Sequence, residues 1–160
     1  MDDDNVDEVW PKIRTPRMDT RVIGAVHGAH HAIAERLGQA TRVHGLDASE
    51  ALVLVTIQRD QGCAPWEIRR RIGLHRSTLS SILDRLERDG LILRLEVGGG
   101  RRFDIRLTSA GRIAADLADY AVASVESEIA GYTSREERQA AVAVFEACVA
   151  VGRRERGVSD

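Results

Sequence analysis

The chain has 160 residues, of which 43% are hydrophobic, and its formal net charge is −2 at pH 7. This length and composition can bury a core and suit one compact domain with or without helical arms, which excludes the class of disordered chains. No apolar run approaches the roughly 20 residues that span a bilayer, and the acidic start MDDDNVDEVW lacks the basic and apolar segments of a secretory signal. We therefore expect a cytoplasmic protein without membrane association.

Charge is unevenly distributed along the chain. Residues 1–10 contain five acidic residues and no basic one, whereas residues 66–106 contain ten arginines and six acidic residues, a net charge of +4. The planar guanidinium of arginine suits phosphate and guanine. A basic segment within a mildly acidic chain therefore indicates that nucleic acid is the partner of this segment.

Helical periodicity dominates the first part of the chain. Apolar residues recur at helical spacing over about 19–43, which predicts a long helix that His44-Gly45 ends. Asp47, with Glu50 three residues later, is typical of a capping box and predicts the start of a second helix.

Two short helices and a hairpin are predicted next. Pro65 suits the first turn of a third helix that Gly73 closes, and a fourth helix runs over about 75–88. The period then changes to that of strands, with predicted strands at 91–95 and 103–107 on either side of a glycine-rich tip.

Two more helices complete the pattern. Thr108 is predicted to cap a long helix that ends near Ile129, and Ser134 a last helix. The last helix has an apolar stripe formed by Ala141, Val144, Phe145, Cys148 and Val151. Together with the stripe of the first helix it is too apolar to leave exposed, which predicts a homodimer.

The order of two short helices and a hairpin with a basic tip predicts a winged helix-turn-helix. The fourth helix carries small hydroxyl side chains that allow close approach to a groove, and arginines that can reach phosphates or base edges. Arginines at the hairpin tip suit a minor groove. The predicted DNA-binding residues are Arg76, Ser77, Thr78, Ser80, Ser81, Arg85, Arg101 and Arg102.

Residues 74–92, LHRSTLSSILDRLERDGLI, resemble the recognition helix and first wing strand of MarR-family regulators. The RR pair at 101–102 and LTSAG at 107–111 resemble the wing of that family and the start of its next helix. The resemblance covers about 19–152. Three features depart from the family pattern. Glycines at 98–100 replace the acidic residue usual in the wing, and His75 is a poorer helix cap than the usual Ser, Asp or Asn. The reactive cysteine that the redox members carry in the first helix is absent from the predicted first helix of this chain.

The resemblance implies a homodimer, joined by its first and last helices, that binds palindromic promoter DNA, mostly as a repressor. The expected fold class is mainly α with a small β-hairpin wing, a winged helix-turn-helix domain between N- and C-terminal dimerisation helices. The expected division is an acidic arm, a dimerisation helix, the DNA-binding domain, the C-terminal dimerisation helices and a tail, at residues 1–18, 19–46, 47–108, 109–152 and 153–160.

The resemblance also implies release of double-stranded DNA when a small aromatic or anionic effector binds or a cysteine is oxidised. We expect the effector site between the dimerisation helices and the DNA-binding lobe, with Arg21, His30 and Trp66 as candidate lining residues. An aromatic acid would suit stacking on indole and a charged hydrogen bond to arginine or histidine. The alternative is a packed core in which Trp66 is an ordinary anchor.

Redox or metal sensing is a further alternative. His27, His31 and Glu35 share one face of the first helix, a geometry that can hold a metal, but a solvated face is the simpler interpretation. Cys63 and Cys148 form no ligand-like pair and are predicted to be buried, inert thiols. We expect no cofactor and no metal.

Two other functional classes are alternatives to a DNA-binding regulator. The sequence has no nucleophile elbow, no HExxH and no P-loop, so an enzyme is not expected. A protein that kept the fold but lost DNA binding, such as an anti-repressor, is the second rival. The basic fourth helix argues against it.

Overall fold

The computed structural model describes residues 22–60, 62–98 and 103–154, with only the backbone at 153 and 154. Its elements in chain order are α1 (Val22–Arg42), α2 (Ala48–Asp60), α3 (Pro65–Ile72), α4 (Arg76–Arg88), β1 (Ile92–Glu96), β2 (Phe103–Leu107), α5 (Ser109–Ala130) and α6 (Arg135–Arg154). The two strands pair antiparallel, from Ile92 opposite Leu107 to Glu96 opposite Phe103. The predicted fold class, mainly helical with a small hairpin wing, is confirmed, and β1 begins one residue later than predicted.

Local hydrogen bonds set the start of two helices as the sequence predicts. At α2 the Asp47 carboxylate accepts from the backbone N–H groups of Ser49 and Glu50, both at 2.8 Å, and the Glu50 carboxylate accepts from the N–H of Asp47 at 2.9 Å. This reciprocal arrangement is the predicted capping box. Ser134 and Glu137 exchange the same two bonds at the start of α6, at 2.8 and 3.2 Å.

Two further predicted boundaries are confirmed. The Thr108 hydroxyl accepts from the backbone N–H of Gly111 at 2.9 Å and caps α5. Gly73 follows α3 with a φ of 72°, a left-handed conformation that glycine adopts without a β-carbon penalty. The tight stop at Gly73 sets the short turn between α3 and α4.

Helix α2 lies at the centre of the core. Residues 53–57 are all buried, because α5 packs on one side of this helix and α3, α4 and β2 pack on the others. A helix enclosed in this way is apolar nearly all round instead of along one stripe. The surrounding elements contribute large buried side chains: Ile68, Leu79, Leu83, Leu86, Ile92 and Ile105.

The two cysteines lie in different surroundings. Cys63 is buried, as predicted, and its backbone exchanges two hydrogen bonds with Ile105, of 3.2 and 2.9 Å, at the edge of β2. Cys148 is exposed on α6. The prediction that Cys148 is buried is therefore wrong for the single chain, because no other element of the described chain covers that face of α6.

Apolar side chains of α1 and α6 are left uncovered. Helix α1 buries only Leu37 and Thr41, and none of residues 135–152 of α6 is buried. On the predicted stripe of α6, 45% of Phe145 and 62% of Val151 are exposed. Within the described ranges, no helix combines the length and apolar character needed to cross a membrane.

Candidate nucleic-acid interface

The fourth helix, α4, has one buried apolar side and one exposed polar side, as a helix that enters a DNA groove requires. Leu79, Ile82, Leu83 and Leu86 are buried and fasten one side of the helix to the core. The predicted DNA-binding residues of its first half are all exposed: Arg76, Ser77, Thr78, Ser80 and Ser81. Apart from Arg76, the exposed residues in the first turn and a half of α4 therefore have short hydroxyl side chains.

The start of α4 is a region without negative charge. Residues 68–83 contain four arginines and no acidic residue, and the first turn of α4 has none. His75 stands before the helix in an extended conformation, and its side chain makes no capping hydrogen bond. Backbone N–H groups of an uncapped first turn are available to an external acceptor, and the helix dipole favours an anion there.

Acidic residues occupy the second half of α4, where basic side chains neutralise them. Arg94 of β1 is ion-paired with Asp84 and lies 3.4 Å from the Glu87 carboxylate. The Arg94 pairs join the wing hairpin to the outer side of α4. Arg94 therefore compensates the negative charge in the C-terminal half of α4, away from the basic N-terminal end of the helix.

Arg85 is already engaged within the protein. Its Nε lies 3.0 Å from an oxygen of Glu50, whose side chain is only 2% exposed. Burial raises the pKa of Glu50, and the Asp47 N–H and the Arg85 charge act in the opposite direction. A DNA contact by Arg85 stays a prediction, and it would have to coexist with or break this ion pair.

The wing is described only up to its tip. The strands end at the pair of Glu96 and Phe103, and Gly98 follows β1 with a φ of 73°, which turns the chain. Arg101 and Arg102 lie outside the described residues. Their predicted groove contact stays a prediction.

Sequence reasoning did not single out the last turn of α3, directly before the turn into α4. Arg69 and Arg70 are exposed there, and the Arg70 guanidinium lies over the Trp66 ring, 5.4 Å from its centroid. Arg71 instead pairs with Asp60 at 2.8 Å. The first helix of a helix-turn-helix crosses the DNA backbone. Three consecutive arginines at the end of this helix could therefore have indicated a phosphate contact from the sequence alone.

The candidate effector residues are not brought together by any described contact. His30 is exposed on α1, its ring 5.6 Å from that of His31, and Trp66 is 55% exposed on α3. Arg21 lies outside the described residues. A shallow groove of about 300 Å³ on α6 includes none of these side chains. The effector site stays a prediction.

The histidines of α1 lie close together on one helix. The His27 and His31 rings are 4.5 Å apart in an edge-to-face arrangement. Among the described side chains, no group of three or more His, Cys, Asp or Glu residues could hold a metal ion.

Comparison with known proteins agrees with this geometry. Residues 44–102 match the family model of the MarR family. The match spans the start of α2, the helix-turn-helix and the wing up to the RR pair, the part of the chain that carries every predicted DNA-binding residue.

A curated protein similar to this chain is the HTH-type transcriptional regulator TtmR of Methylorubrum extorquens, which is 31% identical over 96 residues. The alignment covers 59% of this chain and 49% of TtmR, so the chain spans about half the length of the curated relative that it matches.

Solved structures extend the likeness over most of the chain. The transcriptional regulator MOSR of M. tuberculosis, in complex with DNA, is 26% identical with a TM-score of 0.65, over 79% of this chain and 97% of MOSR. BpsR of Bordetella bronchiseptica, whose DNA binding is regulated by 6-hydroxynicotinic acid, is 17% identical with a TM-score of 0.69, over 79% of this chain and 97% of BpsR. The fold is that of the MarR winged-helix regulators.

Proposed function

We propose that this chain is a sequence-specific, DNA-binding transcription regulator that acts as a homodimer, most simply a repressor, on a pseudo-palindromic operator. The observation that carries the proposal is the start of α4, exposed, rich in hydroxyl and guanidinium groups and free of acidic residues from 68 to 83. Hydroxyl groups and arginine bind phosphates and base edges in the major groove. MOSR, of the same fold, was crystallised with DNA, which supports this assignment.

The proposed dimer uses the uncovered apolar faces of α1 and α6. Large side chains on these helices stay 40% or more exposed in the single chain, among them Ile33 on α1 and Val144 and Phe145 on α6. Exposed apolar surface of this kind marks an interface, and a two-fold interface between identical chains explains a two-fold operator. We accordingly assign residues 19–46 and 109–152 to dimerisation and 47–108 to DNA binding.

A small aromatic or anionic effector completes the proposal. The regulation of BpsR by 6-hydroxynicotinic acid, an aromatic acid, supports this class of ligand. Arg21, His30 and Trp66 are the proposed lining residues. A ligand can change DNA affinity only if it binds one spacing of the two α4 helices more tightly than the other. A site at the junction of α1 with the DNA-binding lobe could couple ligand binding to this spacing.

The decisive experiment selects genomic DNA fragments with the purified protein and measures affinity for the enriched sequence at several salt concentrations. We expect an enriched pseudo-palindrome and a steep loss of affinity with salt. Arg76→Ala should lower affinity, whereas Arg59→Ala, which removes an arginine paired with Asp119 between α2 and α5, should leave affinity nearly unchanged. The absence of any enriched sequence, with no salt-dependent DNA binding, would favour an anti-repressor of the same fold.

The dimer is tested separately by light scattering at micromolar concentration. The expected mass is twice 17.6 kDa. Phe145→Asp places a charge on the apolar face of α6 and should yield a folded monomer with much weaker operator binding. A wild-type chain that is monomeric in this experiment contradicts the proposed assembly.

A further inference from the structure

Among the ion pairs of the described residues, the one with the most deeply buried partner joins α4 to the start of α2. Glu50 lies in the first turn of α2, and its side chain is only 2% exposed. One of its carboxylate oxygens accepts from the Asp47 N–H at 2.9 Å, and the other faces the Arg85 Nε at 3.0 Å. Both oxygens of the buried carboxylate are therefore satisfied, one by the helix cap and one by α4.

Arg85 is held by this carboxylate and by two weaker neighbours. The Asp47 carboxylate lies 3.9 Å from one of its terminal nitrogens, and the Asp89 carboxylate lies 4.0 Å from its Nε. Asp47 and Asp89 are each about half-exposed, so their pairs with Arg85 are screened by solvent. In the pair with Glu50 the carboxylate is buried and the Arg85 side chain is about half-exposed, so the protein shields only one side of this pair. Removing Arg85 would leave the buried carboxylate without its charged partner, which is costly.

The direction of Arg85 differs from that of Arg76. Arg85 lies nine positions after Arg76, which at 3.6 residues per turn is two and a half turns of helix. The two side chains therefore leave the helix on roughly opposite sides, and their positions are roughly 14 Å apart along its axis. A groove that receives the first turn of α4 at Arg76 would therefore meet Arg85 on another side of the helix and much further along.

We propose that Arg85, for which the sequence predicts a DNA contact, is instead a positioning residue: its ion pair with Glu50 sets the orientation of α4 against the start of α2, and Arg85 does not itself contact DNA. This inference rests on the proposed DNA-binding function. The pair holds α4 at one angle to the core, so that the exposed first half of the helix keeps a fixed orientation. Since the four buried apolar residues of α4 are non-directional contacts, a charged pair with fixed geometry supplies the missing orientation.

Glu50→Gln separates the two roles of Arg85, because it leaves the arginine and its charge in place but removes the charge that holds it. If Arg85 positions α4, Glu50→Gln should weaken operator binding by roughly tenfold, the size expected for a remote mutation that shifts a binding element. If Arg85 contacts a phosphate, the same variant releases the arginine, and affinity should stay constant or rise.

The experiment compares Glu50→Gln, Arg85→Gln, their double variant, Arg85→Lys and the surface control Arg59→Gln. Operator affinity is measured against salt concentration, at a temperature where melting curves show every variant folded. We expect similar losses for both single variants and for Arg85→Lys, which keeps the charge without the Nε–H. We also expect no additional loss in the double variant, and a wild-type salt slope throughout.

Two results would overturn the proposal. The first is a slope of log affinity against log salt concentration that is smaller by roughly 0.9 in Arg85→Gln, the change expected for one lost phosphate contact. The second is unchanged operator affinity in both Glu50→Gln and Arg85→Lys. Failure of the proposed DNA-binding function is a different outcome, since the wild-type chain would then show no salt-dependent binding. In that case the positioning claim is still tested by unfolding, because a real Glu50–Arg85 pair gives non-additive losses in the double variant.

Discussion

A β-carbon at Gly111 would lie 1.8 Å from the carbonyl oxygen of Leu91. Gly111 is in the first turn of α5 and is buried, and Leu91 directly precedes the first wing strand. The same Leu91 carbonyl accepts from the backbone N–H of Thr108 at 3.0 Å. The hairpin backbone therefore cannot move away from α5 without breaking a hydrogen bond, and the absence of a side chain at position 111 is what allows the contact.

Gly111→Ala should consequently destabilise the protein, by about 3 kcal/mol, the upper part of the range for overpacked positions. Chemical denaturation at fixed protein concentration measures the change. Gly38→Ala is the matched control, because Gly38 lies in α1 and an added β-carbon there meets nothing within 4 Å. That variant should gain roughly 0.5–1 kcal/mol from helix propensity. Equal stability of the two variants contradicts the close approach.

Arg94→Ala should affect DNA binding more than stability. The pairs of Arg94 with Asp84 and Glu87 are partly exposed, so their loss should lower the free energy of unfolding by about 1 kcal/mol or less. The same change detaches the wing hairpin from α4 and leaves two acidic residues uncompensated beside the proposed DNA surface. We expect a clear drop in operator affinity in a gel-shift titration. Wild-type affinity in a folded Arg94→Ala variant would show that the wing needs no such brace.

Short-range features of the fold were predictable because their causes are local. The capping box of Asp47 and Glu50, the Thr108 cap and the glycine stop after α3 depend on residues no more than a few positions apart, so a short sequence window contains the whole interaction. The exposed side of α4 was predictable for the same reason, since the period of its buried leucine and isoleucine residues determines which residues face away from the core.

Contacts between distant segments were not predictable in this way. The sequence around Arg85 predicts an exposed arginine without a partner in the protein. Its partner Glu50 lies 35 positions earlier in the chain, where the sequence predicts only a role in capping α2. Only the packing of α4 on α2 brings the two together. The Arg70 stacking on Trp66 involves residues four apart, and helical spacing could have indicated it, but the sequence does not tell whether Trp66 is buried or exposed.

The two thiols should react at very different rates. Burial raises the pKa of Cys63 to about 11, so that almost no thiolate is present at pH 8. Cys148 is exposed in the single chain. We expect Cys148→Ser to abolish the fast reaction with a disulfide reagent in the folded protein and Cys63→Ser to preserve it. Because the proposed dimer would cover α6, labelling of Cys148 should also accelerate on dilution. Fast labelling of Cys63 in the folded state would contradict its burial.

Acidification should stabilise the wild-type chain relative to Glu50→Gln. Burial, the largest influence, raises the pKa of Glu50 in the folded state above its ordinary value of 4.5. The folded chain therefore binds this proton more tightly than the unfolded chain does. The resulting contribution to stability is fully present below the unfolded pKa and is lost as the pH rises through the folded pKa.

Between pH 7 and pH 4.5 the free energy of unfolding of the wild type should thus improve relative to that of Glu50→Gln, which has no proton to gain at this position. The other ionisable groups are common to both proteins, so the difference between the two denaturation curves isolates Glu50. Asp47, Asp89 and Arg85 face this carboxylate and contribute to its pKa, which makes Asp89→Asn a second check. Removing that negative charge should lower the Glu50 pKa and shift the change to lower pH. A pH-independent difference between wild type and Glu50→Gln would mean that Glu50 has the same pKa in the folded and unfolded chains.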